Sequence, residues 1–245
     1  MAKKLLRFLA SRNLERQELS DEKMADFRRA TVVQGGIILT LFLLPFFTYL
    51  GFPYHIQIAE SVFFAVLGIY VFLLWDMLRN YTANERLIIV NFVLIMGVFV
   101  LGVVAVNPFY PMSIDPVYRS VLAFIQMSLL GVESCVIYFT LKEFFRKDLG
   151  LGLRLWGAAC IYLMIGLAFG SAYELVCILD IQCLGVDLPL QTMAFMKRIE
   201  FSFMVLAGMD NPYASVAGMV TSLAMVEALF GQLFVVLIVG RLLVK

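Results

Sequence analysis

Long runs of apolar residues, separated by short polar segments, occupy most of the chain. A helix needs about 20 predominantly apolar residues to cross a bilayer. Six runs approach or exceed that length, and we predict a membrane-spanning helix in each: residues 32–50, 61–77, 87–106, 117–141, 153–179 and the C-terminal run after residue 212. The pattern therefore predicts an all-α integral membrane protein.

The segment before the last span has a different pattern. Residues 190–206 predict a shorter, amphipathic helix, and residues 207–212 predict a non-helical turn before the last apolar helix. This order gives a helix long enough to reach halfway across the membrane, then a polar turn, and then a helix long enough to cross the whole membrane. Irregular backbone at membrane depth is tolerated only where it is buried in protein or lines a water-filled cavity. We therefore expect a re-entrant helix and loop.

The helices around this turn resemble the pore domain of the potassium-channel superfamily, most closely its bacterial members with a two-helix pore. Phe201-Ser202-Phe203 is similar to the family's pore helix, and residues 222–233 are similar to its inner helix, with the sequence SLAMVEALFGQL. The resemblance covers roughly the last quarter of the chain. It implies a channel-like fold of six spans and a re-entrant pore helix and loop, with residues 153–179 as the outer helix.

The segment that would form the selectivity filter departs from the family pattern. A potassium filter uses Gly-Tyr-Gly backbone carbonyls to replace the hydration shell of the ion, whereas this chain has AGMDNP at residues 207–212. The segment has one glycine, and Pro212 lacks a backbone N–H, so strict potassium selectivity does not carry over. A ring with one carboxylate from each subunit is another way to build a cation filter. The resemblance thus implies a filter formed by Ala207, Gly208, Met209, Asp210 and Asn211.

A simpler alternative is that Asp210 and Asn211 cap a turn, as these residue types do in many loops. On the inner helix the resemblance singles out Glu227, Gly231 and Gln232. It implies that Glu227 packs behind the filter or pairs with a neighbouring helix. Gly231 lies one turn further along the same helix face. It is either a gating hinge, because glycine has a permissive backbone, or a position of close packing.

One pore loop cannot enclose a path, so the resemblance implies a homotetramer around a symmetry axis. The permeant cation would be potassium, sodium or calcium, and no cofactor is expected. Composition agrees with a protein of the lipid bilayer, because 62% of the 245 residues are apolar against about 45–50% in soluble domains. The net charge of +1 gives no indication of nucleic-acid binding.

We divide the chain into three parts. Residues 1–30 are a cytoplasmic amphipathic segment, residues 31–148 are a four-helix membrane domain, and residues 149–245 are the pore domain. The fourth span carries only Arg119, near its outer end. A voltage sensor needs several gating charges within the membrane field, so we predict that the four-helix domain has no voltage sensor.

The distribution of basic residues predicts the orientation. Of the 19 lysines and arginines, sixteen fall in the N-terminal segment, the second and fourth connections and the C-terminal end. The other three fall on the opposite side. Because cytoplasmic segments carry the excess of lysine and arginine, we expect a multi-pass protein of the cell (inner) membrane with both termini in the cytoplasm.

Three further residues are candidates for special roles. A charge at the bilayer centre costs roughly 2.5–3.5 kcal/mol on insertion scales, so Glu133, within the fourth span, should face protein or water. It is either a protonated or hydrogen-bonded packing residue or an ion or proton relay. Cys177 and Cys183 flank an outer segment, where they can form a disulfide in an oxidising compartment.

Two alternatives to a channel remain open. The missing filter glycines favour a non-conducting, pore-like scaffold or a subunit of a larger complex with other membrane subunits. A proton-coupled transporter or membrane enzyme would use Glu133. The sequence offers no nucleophile–base pair, metal-binding cluster or phosphate-binding loop, and His55 is the single histidine. We therefore predict that the protein is not an enzyme.

Overall fold

The computed structural model describes residues 16–49, 54–82, 84–105, 116–145, 150–180, 183–185, 192–209, 213, 216 and 218–243. Every regular element within these ranges is an α-helix, which confirms the all-α part of the prediction. The helices are α1 (Arg16–Tyr49), α2 (His55–Tyr81), α3 (Glu85–Ala105), α4 (Pro116–Phe144), α5 (Leu151–Leu179), α6 (Thr192–Leu206) and α7 (Gly218–Leu243).

Five helices are long and apolar enough to cross a membrane: Ile56–Tyr81, Glu85–Ala105, Pro116–Phe144, Leu151–Leu179 and Gly218–Ile238. They fit a multi-pass membrane protein. The span predicted at residues 32–50 falls in the second half of α1. Helix α1 is not among these five helices, so this span stays a prediction. Helix α1 continues through Pro45, and it crosses the predicted domain boundary after residue 30 without a break.

Helix α5 is at the centre of the molecule. It packs against α1, α4, α6 and α7, whereas α3 lies at an edge against α2 and α4. In the apolar window of α5, 67% of the residues are buried, compared with 17% in that of α7. Helix α7 therefore presents most of its apolar surface to the surroundings of the single chain.

Asp26 lies in the charged first half of α1, before the apolar run, and its side chain is buried against α2. The amide Nδ2 of Asn80 donates a hydrogen bond to Asp26 Oδ2 at 2.5 Å. Burial raises the pKa of Asp26 to about 6, with Asp76 and Glu22 adding to the increase and Asn80 and Arg29 opposing it. The folded protein therefore binds a proton at Asp26 more tightly than the unfolded chain does.

We expect the free energy of unfolding to decrease as pH rises from about 3.8, the ordinary pKa of the carboxyl group, to about 6, the pKa of folded Asp26, and to stay at the lower value above that. The difference from the ordinary value of 3.8 corresponds to about 3 kcal/mol lost above that pH, at about 1.4 kcal/mol per pKa unit. Asp26→Asn should remove this dependence and stabilise the protein at pH 7, because its amide can pair with Asn80. Thermal unfolding in detergent at several pH values measures the effect. The exposed Asp21 supplies the control variant, Asp21→Asn, which should keep the wild-type profile.

Candidate functional site

The short helix α6 packs against α5 at two glycines. A Cβ atom at Gly166 would lie 2.5 Å from Phe203 Cε1, and one at Gly170 would lie 2.7 Å from Ile199 Cγ1 and 3.1 Å from Ile199 Cα. Phe203 and Ile199 are one turn apart on α6, as the two glycines are on α5. The face of α5 that carries these two glycines is therefore the surface that receives α6.

Helix α6 ends at the level of the middle of its two long neighbours. The hydroxyl of Tyr162, the twelfth of the 29 residues of α5, donates to the carbonyl oxygen of Leu206 at 3.1 Å. A Cβ at Gly231, the fourteenth of the 26 residues of α7, would lie 2.4 Å from that same oxygen. Both α5 and α7 are long enough to cross a membrane, and α6 stops halfway along each of them.

A glycine-capped turn closes the C-terminal end of α6. Gly208 has a left-handed φ of 70°, Gly208 N–H donates to Val205 O, and Met209 N–H donates to Met204 O. This pair of bonds is the Schellman motif, which favours glycine at the left-handed position. With Ala207 N–H donating to Phe203 O and Tyr162 donating to Leu206 O, all four terminal carbonyls of α6 have partners.

The structure describes only part of the predicted filter. Ala207, Gly208 and Met209 are exposed on the surface of the single chain, with 62% of Met209 accessible. Asp210 and Asn211 lie outside the described residues, so neither their filter role nor their turn-capping role is tested. Gly208 has the role of a helix cap, and either interpretation of the segment is compatible with its positive φ.

Glu227 of α7 joins three helices through its carboxyl group, and it is fully buried. Tyr173 of α5 donates its hydroxyl proton to Glu227 Oε2 at 2.6 Å. Ser202 of α6 lies 2.5 Å from Glu227 Oε1 and 2.6 Å from the carbonyl oxygen of Gly166. Glu227 was predicted to pack behind the filter or pair with a neighbouring helix, and in the structure it binds α5 and α6 together.

A count of protons in this group indicates that Glu227 is neutral. The Ser202 hydroxyl has one proton to donate, and both of its close neighbours, Gly166 O and Glu227 Oε1, would be acceptors if Glu227 were ionised. A neutral Glu227 that donates to Ser202 Oγ leaves the serine proton for Gly166 O, so every contact has a proton. No basic side chain forms an ion pair with Glu227 in the described part of the chain.

We expect Glu227→Gln to leave the stability within about 1 kcal/mol of wild type, because the amide can donate to Ser202 and accept from Tyr173. Glu227→Ala should cost about 2–4 kcal/mol, because it creates a cavity and leaves two buried hydroxyls without their partner. Thermal unfolding of both variants in the same detergent tests this difference. Equal losses for glutamine and alanine would show that Glu227 is ionised in the folded protein.

Of the other two inner-helix residues, Gly231 is in the close contact with Leu206 described above, and Gln232 is exposed on the single chain. This contact is sufficient to explain why a glycine occupies position 231, because a larger side chain would not fit, and no hinge is needed to explain it. Glu133 is buried at 1% exposure on α4. It does not belong to the group around Glu227.

Sequence reasoning missed a buried ion pair between α5 and α6. Arg198 Nη1 donates to Glu174 Oε2, and the exposed fractions of the two residues are 0% and 3%. The signal was present: Glu174 falls within the predicted fifth span, and Arg198 falls in the helix predicted to reach halfway across the membrane. Opposite charges in two neighbouring apolar segments often pair, because each would be costly alone.

An ion pair and a disulfide are further contacts of this region. Lys197 and Glu200 form an ion pair on α6, with 2.6 Å between Nζ and Oε2. Cys177 and Cys183 are joined by a disulfide, which ties the end of α5 to the residues that follow it. Among the described residues, no group of three histidine, cysteine, aspartate or glutamate side chains could hold a metal ion.

No protein-family model, no curated protein and no solved structure matches the chain. The resemblance to the potassium-channel superfamily therefore depends on the residues quoted for it, and any function is a proposal.

Proposed function

We propose that the protein is a cation channel subunit whose pore forms at the axis of a homotetramer. The atypical segment AGMDNP would be the filter, and it would not select strictly for potassium. The observation that carries the proposal is the end of α6: a turn that leaves the helix halfway along two membrane-length neighbours and is exposed on the single chain.

The exposed turn needs a polar or protein environment. Backbone that is not helical is not stable against lipid tails, because its polar groups have no partners there. Ala207, Gly208 and Met209 lie on the surface of the single chain, so another molecule or water has to cover them. Copies of the same chain around an axis would supply both kinds of cover. Neighbouring subunits would contact the sides of the turn, and water would fill the space at the axis.

The exposed face of α7 supports assembly with further copies. It carries large apolar side chains next to the turn, with exposed fractions between 45% and 68%: Met219, Met225, Val226, Leu229, Phe230, Leu233, Val235, Val236 and Leu237. Lipid can cover such a face, but it cannot cover the turn beside it. A closed ring in which α7 lines the inner side buries both together.

Charge at the end of α6 favours cations. The C-terminal end of a helix carries a partial negative charge of about half an elementary charge, and the sequence places the carboxylate of Asp210 directly after the described turn. Four such ends around one axis would attract potassium, sodium or calcium. The four satisfied terminal carbonyls of α6 leave the carbonyls of Ala207 and later residues as candidate ligands.

A second candidate function is a non-conducting, pore-like scaffold or subunit of a larger membrane complex. The Schellman turn favours it, because a helix cap satisfies carbonyls that an ion would otherwise bind. In this case other membrane subunits would cover the turn and α7. The two candidates differ in oligomeric state and in conduction.

Reconstitution in liposomes separates the two candidates. We expect wild-type protein to pass monovalent or divalent cations under a voltage, and Asp210→Asn to change the reversal potential between two cations. Asp180→Asn, at an exposed acidic residue at the end of α5, is the control and should keep the wild-type selectivity. Native mass spectrometry of the same preparation should give four copies.

Silent liposomes under every tested cation and voltage, together with a monomer or dimer, would contradict the channel and support the scaffold. Conduction that is unchanged in Asp210→Asn would keep the channel but reject this filter.

We further propose, from the excess of basic residues on one side, that both termini face the cytoplasm of a cell membrane. A cysteine introduced at Lys245 should then react with an impermeant thiol reagent only after the membrane is opened.

A further inference from the structure

A second buried polar group lies away from the proposed pore, between α1, α2, α4 and α5. Each helix contributes one side chain, and none is more than 1% exposed. We call this set the polar core cluster, and its members are Gln34, Tyr70, Glu133 and Ser171.

Several buried polar atoms of the polar core cluster have no hydrogen-bond partner of ordinary length and angle. Glu133 Oε2, the Tyr70 hydroxyl and the Ser171 hydroxyl have no partner, and neither does either amide atom of Gln34. A buried polar atom without a partner costs roughly 1–3 kcal/mol, so five such atoms in one place need an explanation. The group around Glu227 is the opposite case, because its carboxyl oxygens are both bonded to protein.

The four side chains are neighbours, and Tyr70 with Gln34 and Glu133 with Ser171 form weak hydrogen-bonding pairs outside ordinary length or angle. Tyr70 lies beside Gln34 and within electrostatic range of Glu133, and Ser171 lies beside Glu133. Among the described residues, the thiol of Cys160 also faces this region, close to Gln34, and Asp26 and Tyr81 lie within electrostatic range of that thiol. No described lysine or arginine forms an ion pair with Glu133.

A row of polar residues on α4 extends the cluster in both directions. Gln126, Glu133 and Thr140 are seven residues apart, so they share one face of the helix. Each is at least nine-tenths buried, and Gln126 Oε1 and Thr140 Oγ1 also lack partners. At 1.5 Å per residue the row is about 21 Å long, which is a large part of the ~30 Å hydrocarbon thickness.

We propose that the polar core cluster holds water molecules and that Glu133 is a proton-binding site in contact with them. A buried water makes about three hydrogen bonds, and the cluster offers donors and acceptors from four helices at neighbouring positions. Glu133 takes up a proton from water at a carboxylate oxygen and returns it to water, and no other bond forms or breaks. The row on α4 is the route by which this water exchanges with the aqueous phase. The site does not depend on whether the protein is a channel.

Infrared difference spectroscopy of the full-length protein in lipid vesicles tests the site, with protons and D2O as the probes. We expect a carbonyl band of a protonated carboxyl group that changes reversibly with pH and shifts to lower frequency in D2O. The band should be lost in Glu133→Gln. Glu227→Gln is the matched control, and it should keep that band.

Two further variants keep the test decisive if Glu133→Gln does not fold. Ser171→Ala and Tyr70→Phe each retain the carboxyl group but remove a neighbouring hydroxyl, so each should shift the midpoint of the band's titration by about one pH unit. The proposal is overturned if the band does not respond to pH or D2O. It is also overturned if both hydroxyl variants titrate as wild type does, or if the band is lost in Glu227→Gln and not in Glu133→Gln.

Discussion

Arg198→Met should destabilise the protein by about 3–5 kcal/mol, because it leaves the carboxylate of Glu174 buried without a counter-charge. The arginine is fully buried, and Nη1 is the guanidinium nitrogen that donates to Glu174. The same pair holds α6 to α5, so the loss should also loosen α6. Thermal unfolding in detergent measures the first effect, and proteolysis between α5 and α6 measures the second.

Two control variants distinguish a buried pair from a general effect of charge. Lys197 is the neighbouring cation on α6 and pairs with Glu200, but its side chain is 35% exposed, so Lys197→Met should cost less than about 1 kcal/mol. The double variant Glu174→Gln with Arg198→Met should recover most of the stability, since neutral residues often replace a buried ion pair at little cost. Equal losses in Arg198→Met and Lys197→Met would contradict the buried pair.

Most helices of this fold could be predicted from the sequence, because a long apolar run indicates a membrane-length helix. The first predicted span is the exception, since it forms only the second half of the longer helix α1. The short helix was predicted to end at residue 206, and α6 ends at Leu206. Two glycines four residues apart, such as Gly166 and Gly170, permit close approach of another helix, but the sequence pattern could not say that α6 is the helix that approaches. That choice depends on how each helix is rotated in the assembled bundle.

The contacts of the candidate site could not be predicted for the same reason. Tyr173 and Glu227 are 54 residues apart in the chain, and Glu174 and Arg198 are 24 apart. Such pairs form only when the packing of large apolar faces brings two helices together. The sequence pointed to Glu227 through a resemblance and to Glu133 through its cost in a membrane. The sequence did not indicate that both carboxyl oxygens of Glu227 have hydrogen-bond partners, whereas Oε2 of Glu133 has none of ordinary geometry.

Gly231→Ala should destabilise the protein, although alanine is the better helix former by about 1 kcal/mol. The added Cβ would lie 2.4 Å from the carbonyl oxygen of Leu206, a backbone atom that Tyr162 holds in place. Overpacking of this kind costs about 1–3 kcal/mol, so we expect a net loss and a displacement of α7 from the end of α6. In the proposed channel the same displacement should reduce cation flux.

Gly240→Ala on the same helix is the matched control. Nothing lies within 4 Å of a Cβ at that position, so this variant should be stabilised or unchanged. Tyr162→Phe tests the cause, because it frees the Leu206 carbonyl to move. Gly231→Ala should then cost less in the Tyr162→Phe background than in wild type, which a double-mutant cycle of unfolding free energies measures. If Gly231→Ala and Gly240→Ala both stabilise the protein, α7 does not pack against the end of α6, and the half-depth position of the turn loses its support.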